Sequence, residues 1–168
     1  MRTLYTADEI KKRTIEMARD ISEDYRGKKP LFICILKGAV IFLSDLVRYM
    51  DIDVEIDFIA VSSYGEDTKS SGVVRIQKDL DQSIKGKDII IVEDIIDTGL
   101  TLNYLYKMLK GRDPLSLKVV TLLDKPERRI EEFTPDYCGF IVPDYFLVGY
   151  GLDCAEKYRQ LPDLCILD

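Results

Sequence analysis

Three carboxylates crowd one short stretch, "IIIVEDIIDTGLT" at residues 89 to 101: Glu93 and Asp94 end a run of four apolar residues, and Asp97 opens a small-residue turn. Adjacent acids at the end of a buried strand are costly unless hydroxyls, a cation or water meet them. The turn Asp97-Thr98-Gly99-Leu100-Thr101 precedes a helical pattern, and a helix start offers unpartnered N–H groups and the positive end of the macrodipole to an anion. Gly99 permits close backbone approach, and the hydroxyls of Thr98 and Thr101 are able to donate to phosphate oxygens. Asp-Thr-Gly before a helix is also an ordinary cap, so the turn by itself leaves both roles open. A sugar carrying phosphate at one end and a diol at the other matches the spacing: phosphate on the turn, diol on Glu93 and Asp94, directly or through Mg²⁺.

Other chemistries are narrowed by what the chain contains. There is no histidine among 168 residues, which removes Ser-His-Asp and Cys-His machinery and leaves carboxylate, Lys or Tyr as general base. The four cysteines, Cys34, Cys138, Cys154 and Cys165, make no CxxC pair and are expected as reduced structural thiols. Neither GxxxxGK[ST] nor GxGxxG occurs, so neither a P-loop nor a dinucleotide turn is indicated. A net charge of -6 argues against nucleic acid as a partner, because Lys and Arg on phosphates dominate that affinity.

The elements that must position these residues read as alternating strands and helices. Thr6 and Glu9 form a T-x-x-E capping box, and Ile10, Met17, Ile21 and Tyr25 follow at near-helical spacing until Gly27. "LFICIL" (31–36) predicts a buried strand, joined through Lys37 and Gly38 to a helix over 39–50. A strand over 54–61 leads into the polar stretch 62–72, expected as a long mobile loop, and 73–80 returns as a strand. Residues 89–92 predict a buried strand and 102–110 a helix stopped by Gly111, with Pro114 beyond. Further strands are expected over 117–123, 137–142 and 146–150, with a short helical or turn segment over 125–132. Fully apolar strands alternating with helices imply a parallel sheet covered on both faces, with ligands at the carboxyl ends of its strands. One domain over 1–168 is expected. "LFICILKGAVIFLSDLV" is interrupted by Lys37, Gly38 and Asp45, so no membrane span is expected, and the polar opening "MRTLYTADEIKKR" predicts no secretory leader. A cytoplasmic location is the resulting expectation.

"VEDIIDTGLT" resembles the phosphoribosyl pyrophosphate signature of type I phosphoribosyltransferases, in the form found in hypoxanthine (hypoxanthine-guanine) phosphoribosyltransferases. "LKGA", "SSYG", "LDKPERR" and "FLVGYGLD" resemble that family's other active-site segments in the same order, from about Tyr5 to Leu167. The implied fold is α/β: a mostly parallel central sheet flanked by helices, with a small hood and a flexible active-site loop. The implied reaction is displacement of pyrophosphate from C1 of 5-phosphoribosyl 1-pyrophosphate by N9 of hypoxanthine or guanine, through a transition state resembling an oxocarbenium ion.

The resemblance also implies roles residue by residue. Glu93 and Asp94 would meet the ribose hydroxyls and Mg²⁺, and Asp97 to Thr101 (Asp97, Thr98, Gly99, Leu100, Thr101) would hold the 5-phosphate. Asp97 would exchange a proton with purine N7. Lys37 and Gly38 would form the pyrophosphate loop, with the Leu36-Lys37 peptide cis, and Arg159 would support the pyrophosphate from the C-terminal side. Lys125 would donate to the 6-oxo group, selecting against adenine. Phe146 would stack on the base, while Leu147 and Asp153 would read its edge through backbone carbonyls, with the Asp153 carboxylate also reaching Mg²⁺. Ser63 and Tyr64 would belong to a loop covering the reaction centre, and the family suggests dimers or tetramers. From residue types alone, Lys37 and Arg159 also read as exposed surface cations and Phe146 as core. Gly151 and Cys154 flank Asp153 at positions where bulkier or polar neighbours can occur in relatives, which bears on the preference among oxopurines. Two other functions stay open: transfer to xanthine or a pyrimidine, and a phosphoribosyl pyrophosphate-sensing regulator of DNA or RNA, which calls for a basic face or an added domain.

Overall fold

The structure is a computed structural model and describes residues 1–63 and 74–168. In chain order the elements are β1 (Arg2–Tyr5), α1 (Ala7–Asp24), β2 (Leu31–Leu36), α2 (Val40–Arg48), β3 (Glu55–Ser63), β4 (Val74–Lys78), β5 (Asp88–Ile96), α3 (Leu100–Lys110), β6 (Ser116–Asp124), a 3-10 turn (Pro126–Arg128), β7 (Tyr137–Ile141), β8 (Leu147–Val148) and β9 (Leu164–Ile166). Six strands form the main sheet in the order β4-β3-β2-β5-β6-β7. All neighbours are parallel except β4, which returns antiparallel along β3 at the edge.

The unbroken apolar runs follow from this placement. Along β5, Ile90 and Val92 pack into the core under α1 and α2, whereas Ile89 and Ile91 pack into the one under α3. Successive side chains on a strand point to opposite faces, so a strand covered on both sides must be apolar at every position. Burying each such isoleucine contributes roughly 1.5–3 kcal/mol. The α1 start carries both halves of its capping box: Thr6 N donates to Glu9 Oε2 (2.8 Å) and Glu9 N donates to Thr6 Oγ1 (3.3 Å). The Thr6 N–H, with the Thr6 hydroxyl donating to the same Oε2 (3.0 Å), stabilises the Glu9 carboxylate and holds its pKa below the usual value.

The segment 146–150, expected as one more strand beside the others, differs. Only Leu147 and Val148 are extended, and they pair antiparallel with β9, which in turn pairs with β1 in a separate three-stranded sheet. Positive φ at Gly149 (94°) and Gly151 (100°) ends the strand and bends the chain away. A Cβ on Gly149 would stand 2.1 Å from the Asp163 carbonyl oxygen, so the bend has room for glycine alone. This small sheet is the hood that the family resemblance implies.

β2 and β5 lie side by side, yet the chain proceeds from β2 outward to β3 and from β5 outward in the other direction to β6 and β7. Such a reversal opens a crevice at the carboxyl ends of the two strands, where the following turns diverge. Lys37-Gly38 follows β2, and Asp97 follows β5. Among the described residues no helix is long and apolar enough to cross a membrane.

Candidate active site

Glu93 and Asp94 lie near the carboxyl end of β5, beside the crevice. Glu93 Oε1 accepts from Asp94 N (3.1 Å), and Asp94 Oδ1 accepts from Ile95 N (2.7 Å). Among the described residues neither carboxylate forms a salt bridge. Burial first, and then the neighbouring carboxylate, push the Glu93 pKa well above its usual value, and burial raises that of Asp94. Two neighbouring, partly desolvated acids make a site that favours a cation.

Gly38 explains how close the opposite wall comes. A Cβ there would stand 1.8 Å from Asp94 Oδ2, and one on Gly151 would stand 2.4 Å from the Gly38 carbonyl oxygen. The Lys37-Gly38 turn is therefore wedged between the Asp94 carboxylate and the hood, and this contact leaves room at position 151 for glycine alone. The Leu36-Lys37 peptide is cis, as expected.

Gly99 precedes α3 with φ 83°, and Leu100 and Thr101 form the first turn of the helix, earlier than its expected start at 102. The tight side of Gly99 differs from expectation: a Cβ would meet the Glu131 carbonyl oxygen at 2.5 Å and Arg129 Cδ at 3.0 Å, so glycine admits the chain behind the turn. In front, a cavity of about 140 Å³ is lined by Glu93, Asp97, Thr98, Gly99 and Thr101, among others. The Leu100 N–H points at Thr98 Oγ1 (3.4 Å), which orients that hydroxyl within the turn.

A larger cavity of about 470 Å³ brings together Asp94, Asp97, Lys125, Phe146, Leu147 and Asp153. Lys125 is buried and its Nζ donates to the Tyr145 carbonyl (2.7 Å), with Asp144 Oδ1 at 3.7 Å. An ammonium has three donors, so the held group still faces the cavity with donor capacity. Phe146 is 56% exposed at this wall, which removes it from the core. Leu147 is buried in β8.

Arg159 is anchored by Nη1 on the Gly151 carbonyl (2.7 Å), while Nη2 lies 3.2 Å from Asp153 Oδ1 and 3.1 Å from Glu156 Oε1. Glu156 Oε2 also accepts from Lys37 Nζ (3.3 Å), so one glutamate links the two cations expected to hold pyrophosphate. Arg159 and Lys37 hold the Glu156 pKa below its usual value. Asp153 spends its other oxygen on Glu156 N (2.8 Å). Among the described residues no group of three or more Cys, Asp or Glu side chains gathers to enclose a metal ion by itself. Ser63 ends β3 opposite Val74, and Tyr64 lies outside the described residues.

Several residues at the site carried no expected role. Arg128 Nε donates to Asp97 Oδ1 (3.2 Å), and its Nη1 lies 3.9 Å from Asp144. Arg129 donates to backbone carbonyls of the turn and pairs with Asp124. Asn103 Nδ2 donates to Gly99 O (2.9 Å). The two arginines sit inside "LDKPERR", so the signal was present without a geometry to interpret it.

A family model for the phosphoribosyl transferase domain matches residues 2–155. The chain is 49% identical over 164 residues to a hypoxanthine-guanine phosphoribosyltransferase of Streptococcus thermophilus, covering 98% of this chain and 91% of that one. It is 49% identical over 166 residues to one from Bacillus subtilis, covering 99% and 92%. A crystal structure of a hypoxanthine-guanine phosphoribosyltransferase from Bacillus anthracis, with a HEPES molecule in the active site, superposes with a TM-score of 0.96 at 46% identity, covering 100% of this chain and 99% of that one.

Proposed function

Because the chain belongs to the phosphoribosyl transferase domain family, we propose that it transfers the phosphoribosyl group of 5-phosphoribosyl 1-pyrophosphate to N9 of hypoxanthine, and of guanine, in purine salvage. The observation that carries this is the convergence of Asp97, Lys125 and Phe146 on the larger cavity, beside the smaller one at Thr98, Gly99 and Thr101.

The 5-phosphate sits against the turn, where first-turn N–H groups of α3 and the Thr98 and Thr101 hydroxyls meet it. The purine lies in the larger cavity with Phe146 against its face and Lys125 donating to its 6-oxo group. Adenine presents an amino group there, which a buried ammonium disfavours. As N9 attacks C1, the N9–C1 bond forms and the C1–O bond to pyrophosphate breaks, with the electron pair leaving on pyrophosphate. The N7 proton passes to the Asp97 carboxylate, which moves from Arg128 to the base. Lys37 and Arg159 receive the negative charge of the leaving group.

The donor set fits magnesium, which keeps several waters and takes one or two carboxylates plus substrate phosphates instead of a full protein cage. Glu93 and Asp94 would hold it, with Asp153 reaching it through water, and when bound it neutralises charge building on pyrophosphate. The carboxylates also face the ribose, where positive charge develops.

In this function the chain works as one domain over 1–168, in the cytoplasm, as a dimer or tetramer. Exposed apolar side chains at the two ends of α2, Val40 and Ile41 in its first turn and Tyr49 just after it, support contact between copies. Incubation with phosphoribosyl pyrophosphate, Mg²⁺ and competing hypoxanthine, guanine, xanthine and adenine tests the function. Inosine and guanosine monophosphates are the expected products, and their absence would refute it.

A further inference from the structure

The turn expected to hold phosphate is braced from behind at four successive carbonyls. Ile96 O accepts from Lys125 N (2.9 Å) and Arg129 Nη1 (3.3 Å), and Asp97 O accepts from the same Nη1 at 2.7 Å. Thr98 O accepts from Ile130 N (2.9 Å) and Glu131 N (3.2 Å), and Gly99 O from Asn103 N and Asn103 Nδ2, both at 2.9 Å. In a planar trans peptide the carbonyl and the following N–H point in opposite directions. Anchoring these carbonyls therefore turns the N–H groups of Asp97, Thr98 and Gly99 the other way, while that of Leu100 points at Thr98 Oγ1. The smaller cavity lies on that side, for residues 97–99 line it and no residue of 125–131 does.

One side chain in this brace is charged. Arg129 reaches two consecutive carbonyls with a single nitrogen, and its Nη2 is fixed by the Asp124 carboxylate at the end of β6. The pair is nearly enclosed, with side-chain exposures of 11% and 12%. A surface ion pair contributes little, whereas a shielded guanidinium bonded to carbonyls fixes peptide orientation strongly. Gly99 is part of the same device, because its missing Cβ makes room for Arg129 Cδ.

We propose that Arg129, held by Asp124, is a positioning residue for phosphate binding: it fixes the Asp97 peptide so that the Thr98 N–H faces the 5-phosphate. It acts through the turn and touches no substrate. The inference rests on the proposed placement of phosphate at residues 97–101.

The test is calorimetric titration of phosphoribosyl pyrophosphate with Mg²⁺ into the wild-type chain and into Arg129→Gln, alongside KM for both substrates. Loss of a charge-assisted bond of this kind predicts roughly tenfold weaker phosphoribosyl pyrophosphate binding. The KM for hypoxanthine should move less than about twofold, since Lys125 and Phe146 lie elsewhere. Added guanidinium ion at millimolar concentration should restore part of the affinity to Arg129→Ala. A merely structural arginine would weaken both substrates alike and give no rescue, and that result would overturn the proposal. If neither variant folds, Asp124→Asn decides: it keeps the guanidinium and removes its anchor, so a several-fold loss of phosphoribosyl pyrophosphate affinity supports the role and unchanged affinity refutes it. A wild-type chain that fails to bind phosphoribosyl pyrophosphate would instead strike the proposed function itself.

Discussion

The two ends of the crevice are built differently. At the end of β5 the phosphate turn is held by shielded bonds: Arg129 on two carbonyls, Asn103 on a third, and backbone N–H groups on a fourth. On the β2 side, Lys37 and Arg159 meet Glu156, an ion pair whose members at Lys37 and Glu156 are 68% and 65% exposed. One end is organised before substrate arrives, and the other must exchange an internal anion for an external one. This difference suits the proposed reaction, in which the 5-phosphate would hold the sugar in place while pyrophosphate departs. Between the two ends lie Glu93 and Asp94, whose pKa values burial raises.

Asp97→Asn should break the contrast most severely, because Asp97 belongs to the braced turn and, in the proposed reaction, also takes the proton from purine N7. A fall in kcat of about a hundredfold or more is expected, with little change in the KM for hypoxanthine, since general-base contributions run to that size. Steady-state kinetics decide it, and wild-type turnover would remove Asp97 from the role.

Gly38→Ala comes next. The added methyl would stand 1.8 Å from Asp94 Oδ2, so the carboxylate must swing out of the crevice. Activity should drop by roughly tenfold or more while the fold is retained, because misplacing a charged group by an ångström is felt mainly in catalysis. Equal activity would show that Asp94 has no fixed place.

Glu93→Gln separates stability from function. The raised folded pKa means that Glu93 contributes stability that is complete below its unfolded value near 4.5 and is lost as pH rises through the folded value. At neutral pH the ligand-free protein carries the cost, and the glutamine variant should be more stable by about 1 kcal/mol. Thermal melts from pH 4 upward should show the gap between the two proteins opening with pH. A variant less stable at neutral pH would show that the carboxylate has a partner.

Glu156→Gln should have the smallest effect. Removing the resident anion should tighten product inhibition by pyrophosphate by about two- to threefold, as exposed pairs contribute little. Weaker inhibition would mean that Glu156 orders the cations instead of competing for them.

The contrast also marks what the sequence could disclose. Continuous apolar runs at 31–36 and 89–92 announced strands covered on both faces, and the acids and turn after the second located the crevice. The capping box of α1 and the stop at Gly111 were legible because both are set by neighbours in sequence. β1 and β9 were not, since strands of four and three residues acquire their pairing only when the chain ends meet. The 146–150 run looked like another sheet strand because it is nearly all apolar, but Phe146 stands exposed at the cavity and Gly149, with Gly151 just beyond, turns the chain into the hood. The bracing by Arg129 and Asn103 stayed hidden for the same reason: "KPERR" shows two arginines, and only the fold shows one on the Asp97 carboxylate and the next on the Asp97 carbonyl.

A crystal structure of the chain with inosine monophosphate tests the central claim most directly. The monoester should rest against the backbone N–H groups and hydroxyls of residues 98–101, with the carbonyls of residues 96–99 still held from behind and the ribose toward Glu93 and Asp94. A monoester seated at Lys37 and Arg159, or a turn whose peptides rotate to receive it, would contradict the account.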